Sequence, residues 1–301
     1  MKKRLRIHGL LPVLCLMILC AASAQADPRE AKLYTITDWP MSGDCAGNDL
    51  FDWDDMALGW YNRIIAGPEF FGDGVWTNTS MSRKLFCDPD SAVSPCNDTK
   101  RIDDADAAMV AFHGFDRNGH WGGLMQVESD DNKCSIQAPE GAASDGLFVG
   151  DTDLEFLHFS SCNSMDDDNL NNTWRMFADV TSKTNGQRLH QANGFHGVMC
   201  VWGGRAGNYQ NFAADGHWVS IADAWMDNLY DDDIIYSDLS MGDQCPVSYA
   251  IGDDAGDAFM RLVFERYDNV FPDPASRKYV AYLYIENCSP LGDTPFNDPN
   301  D

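Results

Sequence analysis

The chain has 301 residues, ten cysteines and a formal charge of −26, from 21 Lys+Arg against 47 Asp+Glu. Its 44% hydrophobic and 23% charged content is that of a globular protein, which excludes a disordered or fibrous chain. The acid excess excludes nucleic acid as a partner and disfavours anionic membranes, because phosphate binding needs a Lys/Arg-rich face.

Lys2, Lys3, Arg4 and Arg6 form a basic start, Leu10 to Ala22 is almost wholly apolar, and Ala24-Gln25-Ala26 fits a small-x-small cleavage site. That order predicts a secretory signal peptide over residues 1–26, with an apolar run too short to span a bilayer. Cleavage after Ala26 takes 26 of the 301 residues, four basic side chains, and Cys15 and Cys20. The exported chain then has 275 residues, a charge of −30 and eight cysteines. No later stretch is apolar enough to cross a membrane, so the expected location is periplasmic or extracellular. Residues 27–301 fit a single domain.

Leu33 to Ile36 is a short apolar stretch. Leu50 to Ala66 carries Leu50, Phe51, Met56, Leu58, Tyr61 and Ile64 at helical spacing, and Gly67-Pro68 stops it. Residues 67–104 read as a long irregular insertion holding Cys87 and Cys96. Ala107 to Phe112 is a continuous apolar run ending at His113-Gly114, and a hairpin is expected at His120 to Val127. A strand at Leu154 to Phe159 ends at Ser160-Ser161-Cys162. The pattern then predicts a helix over Asn169 to Thr181, a strand over Gly194 to Trp202, helices over Trp218 to Tyr230 and Ala255 to Tyr267, and a strand over Tyr279 to Ile285. Short apolar strands alternating with amphipathic helices imply an α/β fold. Its central sheet should be mostly parallel, with helices on both faces. In such sheets chemistry gathers at the carboxyl ends of the strands.

Two of those ends carry reactive side chains. If the strands before His113 and Cys162 are parallel neighbours, the imidazole can take the proton of the thiol, whose thiolate is the nucleophile. The N–H groups of Gly114 and Cys162 could then hold a developing oxyanion. An apolar strand ending in His-Gly and a later one ending in Ser-Cys resemble the clan of caspases, metacaspases, legumain, clostripain and gingipains. The Phe-His-Gly-Phe, Ser-Ser-Cys-Asn-Ser-Met and Ala-Trp segments also resemble a bacterial family carrying a domain of unknown function. The resemblance covers roughly residues 50–230. It implies a caspase-haemoglobinase-like fold, Cys162 as nucleophile, His113 as general base, Gly114 in the oxyanion hole, and a peptide or protein as substrate. The acid excess favours a substrate containing Lys or Arg.

The alternative is a non-catalytic secreted binding protein on the same fold, with Cys162 buried or paired to Cys200, which lies on the strand expected beside it. Eight cysteines can pair completely, and if Cys162 and Cys200 are free the other six pair in 15 ways. Phe195-His196-Gly197 repeats the Phe-His-Gly tripeptide, but it follows the cysteine strand where the clan's histidine precedes it. A zinc site from His113, His190, His196 or His217 lacks any His-Glu-x-x-His or paired Cys-x-x-Cys spacing. No cofactor motif is present. The carboxylate clusters Asp166-Asp167-Asp168, Asp231-Asp232-Asp233 and Asp253-Asp254 raise calcium as a candidate, although none has EF-hand spacing.

Overall fold

The apolar runs before His113 and Ser160 and the run Tyr279 to Ile285 become strands, and most of the longer apolar-periodic segments become helices. The computed structural model describes residues 3–7, 29–87, 96–116, 119–128, 134–137, 149–150, 152–169, 189–232, 234–236, 239–240, 242–275 and 279–297. The strands are β1 (Lys3–Ile7), β2 (Arg29–Thr35), β3 (Phe70–Thr77), β4 (Ala107–Ala111), β5 (Gly114–Asp116), β6 (Trp121–Leu124), β7 (Ser135–Gln137), β8 (Phe156–Ser160), β9 (Gln191–His196), β10 (Ile235–Tyr236), β11 (Leu239–Ser240), β12 (Cys245–Gly252) and β13 (Tyr279–Ile285). The described helices are α1 (Asp52–Ile64), α2 (Ala206–Asp215), α3 (Ile221–Leu229) and α4 (Ala255–Phe264).

The central sheet runs β1-β13-β12-β9-β8-β4-β2-β3. Strands β3, β2, β4, β8 and β9 are parallel, whereas β12, β13 and β1 pair antiparallel. The fold is therefore α/β with a mostly parallel sheet. The middle strands β4 and β8 are wholly buried, β4 as its unbroken apolar sequence requires and β8 with His158 and Ser160 hydrogen-bonded within the core.

Register decides what each face meets. Leu33, Met109, His158 and Asn193 lie side by side, and one residue further Tyr34, Val110 and Phe159 point to the opposite face. On the first face the His158 ring meets Trp60 of α1, Phe212 of α2 and Trp225 of α3. Helix α1 packs on α2, α2 on α3 and α3 on α4, so the described α-helices form one continuous layer. Truncating a fully buried anchor such as Trp60 or Trp225 to alanine costs about 3–5 kcal/mol. Side-chain caps set two of the helix starts. Ser220 Oγ accepts from Asp223 N at the start of α3, and Asp254 accepts from Asp257 N at the start of α4.

The second face departs from expectation. Tyr34 stacks on Trp76 and meets Phe86; Phe86 meets Phe112, Phe112 meets Trp121, and Trp121 meets Phe159. Among the described residues this aromatic row is covered by the loop around Phe86 and the β5–β6 hairpin. The helix anticipated over Asn169 to Thr181 lies, beyond Asn169, outside the described residues.

Three further differences have clear causes. The segment 67–104 is not wholly irregular, because β3 lies within it as the edge strand beside β2. Strand β9 starts and stops earlier than the run Gly194 to Trp202, since its polar Gln191 and Asn193 are buried with partners. Strand β12, missed by apolar periodicity, is buried along its whole length between β9 and β13. Six cysteines pair as Cys45–Cys134, Cys87–Cys96 and Cys245–Cys288. No described helix is long and apolar enough to cross a membrane.

Candidate functional site

The last paired rung between β4 and β8 is Ala111↔Ser160. His113 and Cys162 each lie two residues beyond it, so the two strands deliver them to the same carboxyl edge of the parallel sheet. The sequence expectation that these ends are parallel neighbours holds.

His113 is fixed from three sides. Its Nε2 lies 2.7 Å from the Asn48 carbonyl oxygen, and its ring sits 4.5 Å from that of Trp39 and 5.2 Å from that of Trp53. A carbonyl can only accept, so Nε2 carries the proton and a neutral ring keeps its lone pair on Nδ1. Burial pushes the pKa of His113 below its ordinary value, against the opposing pull of the Asn48 hydrogen bond. Trp53 is held in turn, donating from Nε1 to Ser160 Oγ at 3.0 Å, while Ser160 Oγ shares a 2.7 Å hydrogen bond with Tyr209 of α2.

Cys162 is half-buried and carries a free thiol. Its Sγ donates to the Met199 carbonyl at 3.9 Å, and it makes no hydrogen bond to His113. Burial pushes the thiol up to about 11, and the neighbouring Cys200 acts in the same direction. Sulfur is therefore protonated at neutral pH, and the site at rest is a thiol and a neutral imidazole rather than an ion pair. The chain turns sharply after Cys162: Asn163 is left-handed at φ 54°, donates to Gly197 O at 2.7 Å, and is followed by a Met165 N to Phe195 O bond of 3.0 Å. These bonds zip the Cys162 turn to the end of β9.

Gly114 lies where the two strand ends touch. A Cβ there would come 2.1 Å from the Cys162 carbonyl oxygen and 2.4 Å from Ser161 Oγ, so only glycine permits the approach. Trp121 Nε1 donates to the same Cys162 oxygen at 3.2 Å. Leu124 N donates to His113 O at 2.9 Å, and Gly114 pairs with Gly123 on β6. The alternation of an antiparallel ladder then turns the Gly114 N–H away from β6.

A family model described as Domain of unknown function (DUF6345) matches residues 37–285. The chain belongs to the DUF6345 family. No curated protein matches it.

The matched stretch of the DUF6345 domain contains Asn48, His113, Gly114 and Cys162. Cys200, expected on the strand beside Cys162, instead follows the end of β9 as a buried free thiol, so the two are not joined as a disulfide. The four histidines weighed for zinc do not converge. His190 Nδ1 lies 2.6 Å from Glu265 Oε1, His217 lies near Glu69, and His196 stands at the carboxyl end of β9 beside Asp166 and Asp167. Trp121 is a fully buried core residue, while Trp202 stacks under the Arg205 guanidinium at 4.3 Å. A cleft of about 260 Å³ lined by Arg63, Glu69, His217, Trp218 and Asp268 opens beside the first residue of β3, at the amino ends of the parallel strands and away from Cys162.

Sequence reasoning missed Asn48, Trp39 and Trp53. A backbone carbonyl leaves no trace in residue type, and a buried tryptophan is by itself an ordinary core residue. The one available signal was the Gly/Asp-rich turn around Cys45, which the Cys45–Cys134 bridge fixes near Asn48.

Proposed function

We propose that the chain is an exported cysteine-dependent hydrolase acting on peptide bonds, with Cys162 as nucleophile and His113 as general base. One observation carries this reading. The Asn48 carbonyl holds Nε2–H of His113, which leaves Nδ1 as the only basic nitrogen on a ring pinned by two tryptophans, at the strand end beside the unpaired Cys162. A base oriented by a third group is the arrangement that nucleophilic catalysis requires.

The chemistry follows from the protonation states. As Sγ leaves Met199 O and attacks the substrate carbonyl, Nδ1 takes the thiol proton. The oxyanion is received by the N–H groups of Gly114 and Cys162. Imidazolium then protonates the departing amine, leaving an acyl-thioester. Water, losing its proton to Nδ1, hydrolyses that thioester and restores the thiol.

Exposed Asp52 and Asp55 begin α1 on either side of Trp53, whose ring contacts His113. They support a cationic side chain, Lys or Arg, in the substrate. Three disulfides support an oxidising, extracytoplasmic setting. On the secretory reading, β1 leaves with residues 1–26 and β13 becomes an edge of the sheet.

A second reading, a non-catalytic binding protein, is favoured by the protonated thiol and the missing His113–Cys162 hydrogen bond. A peptidyl acyloxymethyl ketone bearing Lys or Arg separates the two. The hydrolase acquires one thioether at Cys162, lost in His113→Ala and kept in Cys200→Ala. A binding protein acquires none.

A further inference from the structure

Asp166 and Asp167 follow the Cys162 turn, and His196 ends the neighbouring strand β9. His196 is fully buried and Asp166 nearly so, at 0% and 4% exposure. The His196 Nε2 lies 2.8 Å from the Thr294 carbonyl, so Nε2 carries the proton, and Nδ1 points at Asp166 Oδ1 (3.4 Å) and Asp167 Oδ1 (3.8 Å) without a hydrogen-bond partner. In the neutral ring three electron-rich atoms thus face one another, those of His196 and Asp166 buried and that of Asp167 half-buried. Coordination bonds of about 2.1 Å at tetrahedral angles set neighbouring ligand atoms about 3.4 Å apart, which matches these separations.

The surroundings are those of a held ligand set. A metal-binding histidine donates its other N–H to a carbonyl or carboxylate, as His196 does to Thr294, and its partner carboxylates are themselves hydrogen-bonded. Asp167 accepts from Asp168 N at 2.8 Å and from Asn297 N. Asp293, which feels the charges of Asp166 and His196, stands at the same place. The Cys245–Cys288 bridge anchors the segment that brings Asp293, Thr294 and Asn297, and Cys245 is the register partner of His196. The other carboxylate cluster, Glu30, Asp73 and Asp104, provides a contrast. Lys32 Nζ lies 3.7, 3.0 and 2.9 Å from its three members and supplies their cation.

We infer that His196, Asp166 and Asp167 form a binding site for a divalent first-row transition ion of the Zn²⁺ kind. An imidazole nitrogen with two carboxylates suits such ions, whereas calcium takes oxygen ligands alone. The ion would join the Cys162 turn to β9 and to the C-terminal segment. This site stands whether or not Cys162 is a nucleophile.

The test uses full-length protein stripped with EDTA and dialysed against ZnCl₂, with metal counted by mass spectrometry. The expected result is one zinc per chain and a raised melting temperature that EDTA reverses, both retained in a Cys162→Ala/Cys200→Ala variant that removes the free thiols. Asp167→Asn, at a half-buried position, should weaken zinc binding at least about tenfold, as should His196→Gln, while Glu30→Gln should not. Any of three results would overturn the inference: no retained zinc and no melting shift, zinc binding unchanged in Asp167→Asn, or stabilisation by CaCl₂ with ZnCl₂ inert.

Discussion

The Cys162 thiol and the His113 ring are displaced from their ordinary titration in opposite directions, and burial is the leading cause of both. Raising the thiol to about 11 leaves little thiolate at neutral pH. Iodoacetamide alkylation of Cys162, followed by peptide mass spectrometry, should therefore quicken about tenfold per pH unit between pH 7 and 9.5. A plateau below pH 8 would mean a preformed thiolate and would contradict the buried geometry. Gly114→Ala forces a methyl group against the Cys162 carbonyl, 2.1 Å from its ideal position. We expect a loss of about 1–3 kcal/mol in urea unfolding and a displaced Cys162 turn. His113, Gly114 and Cys162 were legible in the sequence because His113-Gly114 directly follows the unbroken apolar run Ala107 to Phe112, and Cys162 lies three residues past the mainly apolar run Leu154 to Phe159. The Asn48 acceptor was not, since any residue supplies a carbonyl, nor was the raised thiol, which depends on how the Cys162 turn is buried against Met199.

Between elements, the disulfides do unequal work. Cys45–Cys134 spans 89 residues and Cys87–Cys96 spans 9. Loop-closure entropy makes the longer bridge about 2 kcal/mol more stabilising. Cys45→Ser/Cys134→Ser should lower the urea midpoint more than Cys87→Ser/Cys96→Ser. It should also weaken labelling of Cys162, because the bridged turn positions Asn48 and Trp39 against His113. Equal midpoints for the two double variants would contradict this ordering. Elements with strong apolar patterns, such as β4, β8, α1 and β13, were readable from sequence to within a few residues. Helix α2 was not, because only Tyr209, Phe212 and Ala213 of its ten residues are buried. The limits of β9 were misjudged for the opposite reason. The side-chain amides of buried Gln191 and Asn193 donate to Arg261 O and His158 Nδ1, partners that only the tertiary fold brings.

For the whole molecule, the acid excess bears on stability as well as on partners. Glu155 sits near Asp106 and Asp153, and burial followed by their charges raises it to about 10. A carboxyl group raised on folding stabilises most below its unfolded value and loses that contribution as pH rises toward the folded one. The urea midpoint should therefore fall between pH 6.5 and 9, where the histidines lowered by burial stay neutral, and Glu155→Gln should flatten the fall. A midpoint that rises with pH would contradict this. The parallel α/β sheet was foreseeable from alternating apolar and amphipathic segments. Its antiparallel side was not, because the sequence of β12 mixes apolar with small and polar residues, and neither was the single described helical layer. The pairing of the Cys162 sulfur with the His113 ring is tested most directly by treating the protein with a Lys- or Arg-bearing peptidyl acyloxymethyl ketone and locating the adduct by peptide mass spectrometry. A single adduct at Cys162 that disappears in His113→Ala is expected; no adduct, or one at Cys162 that forms equally fast without His113, would contradict that pairing.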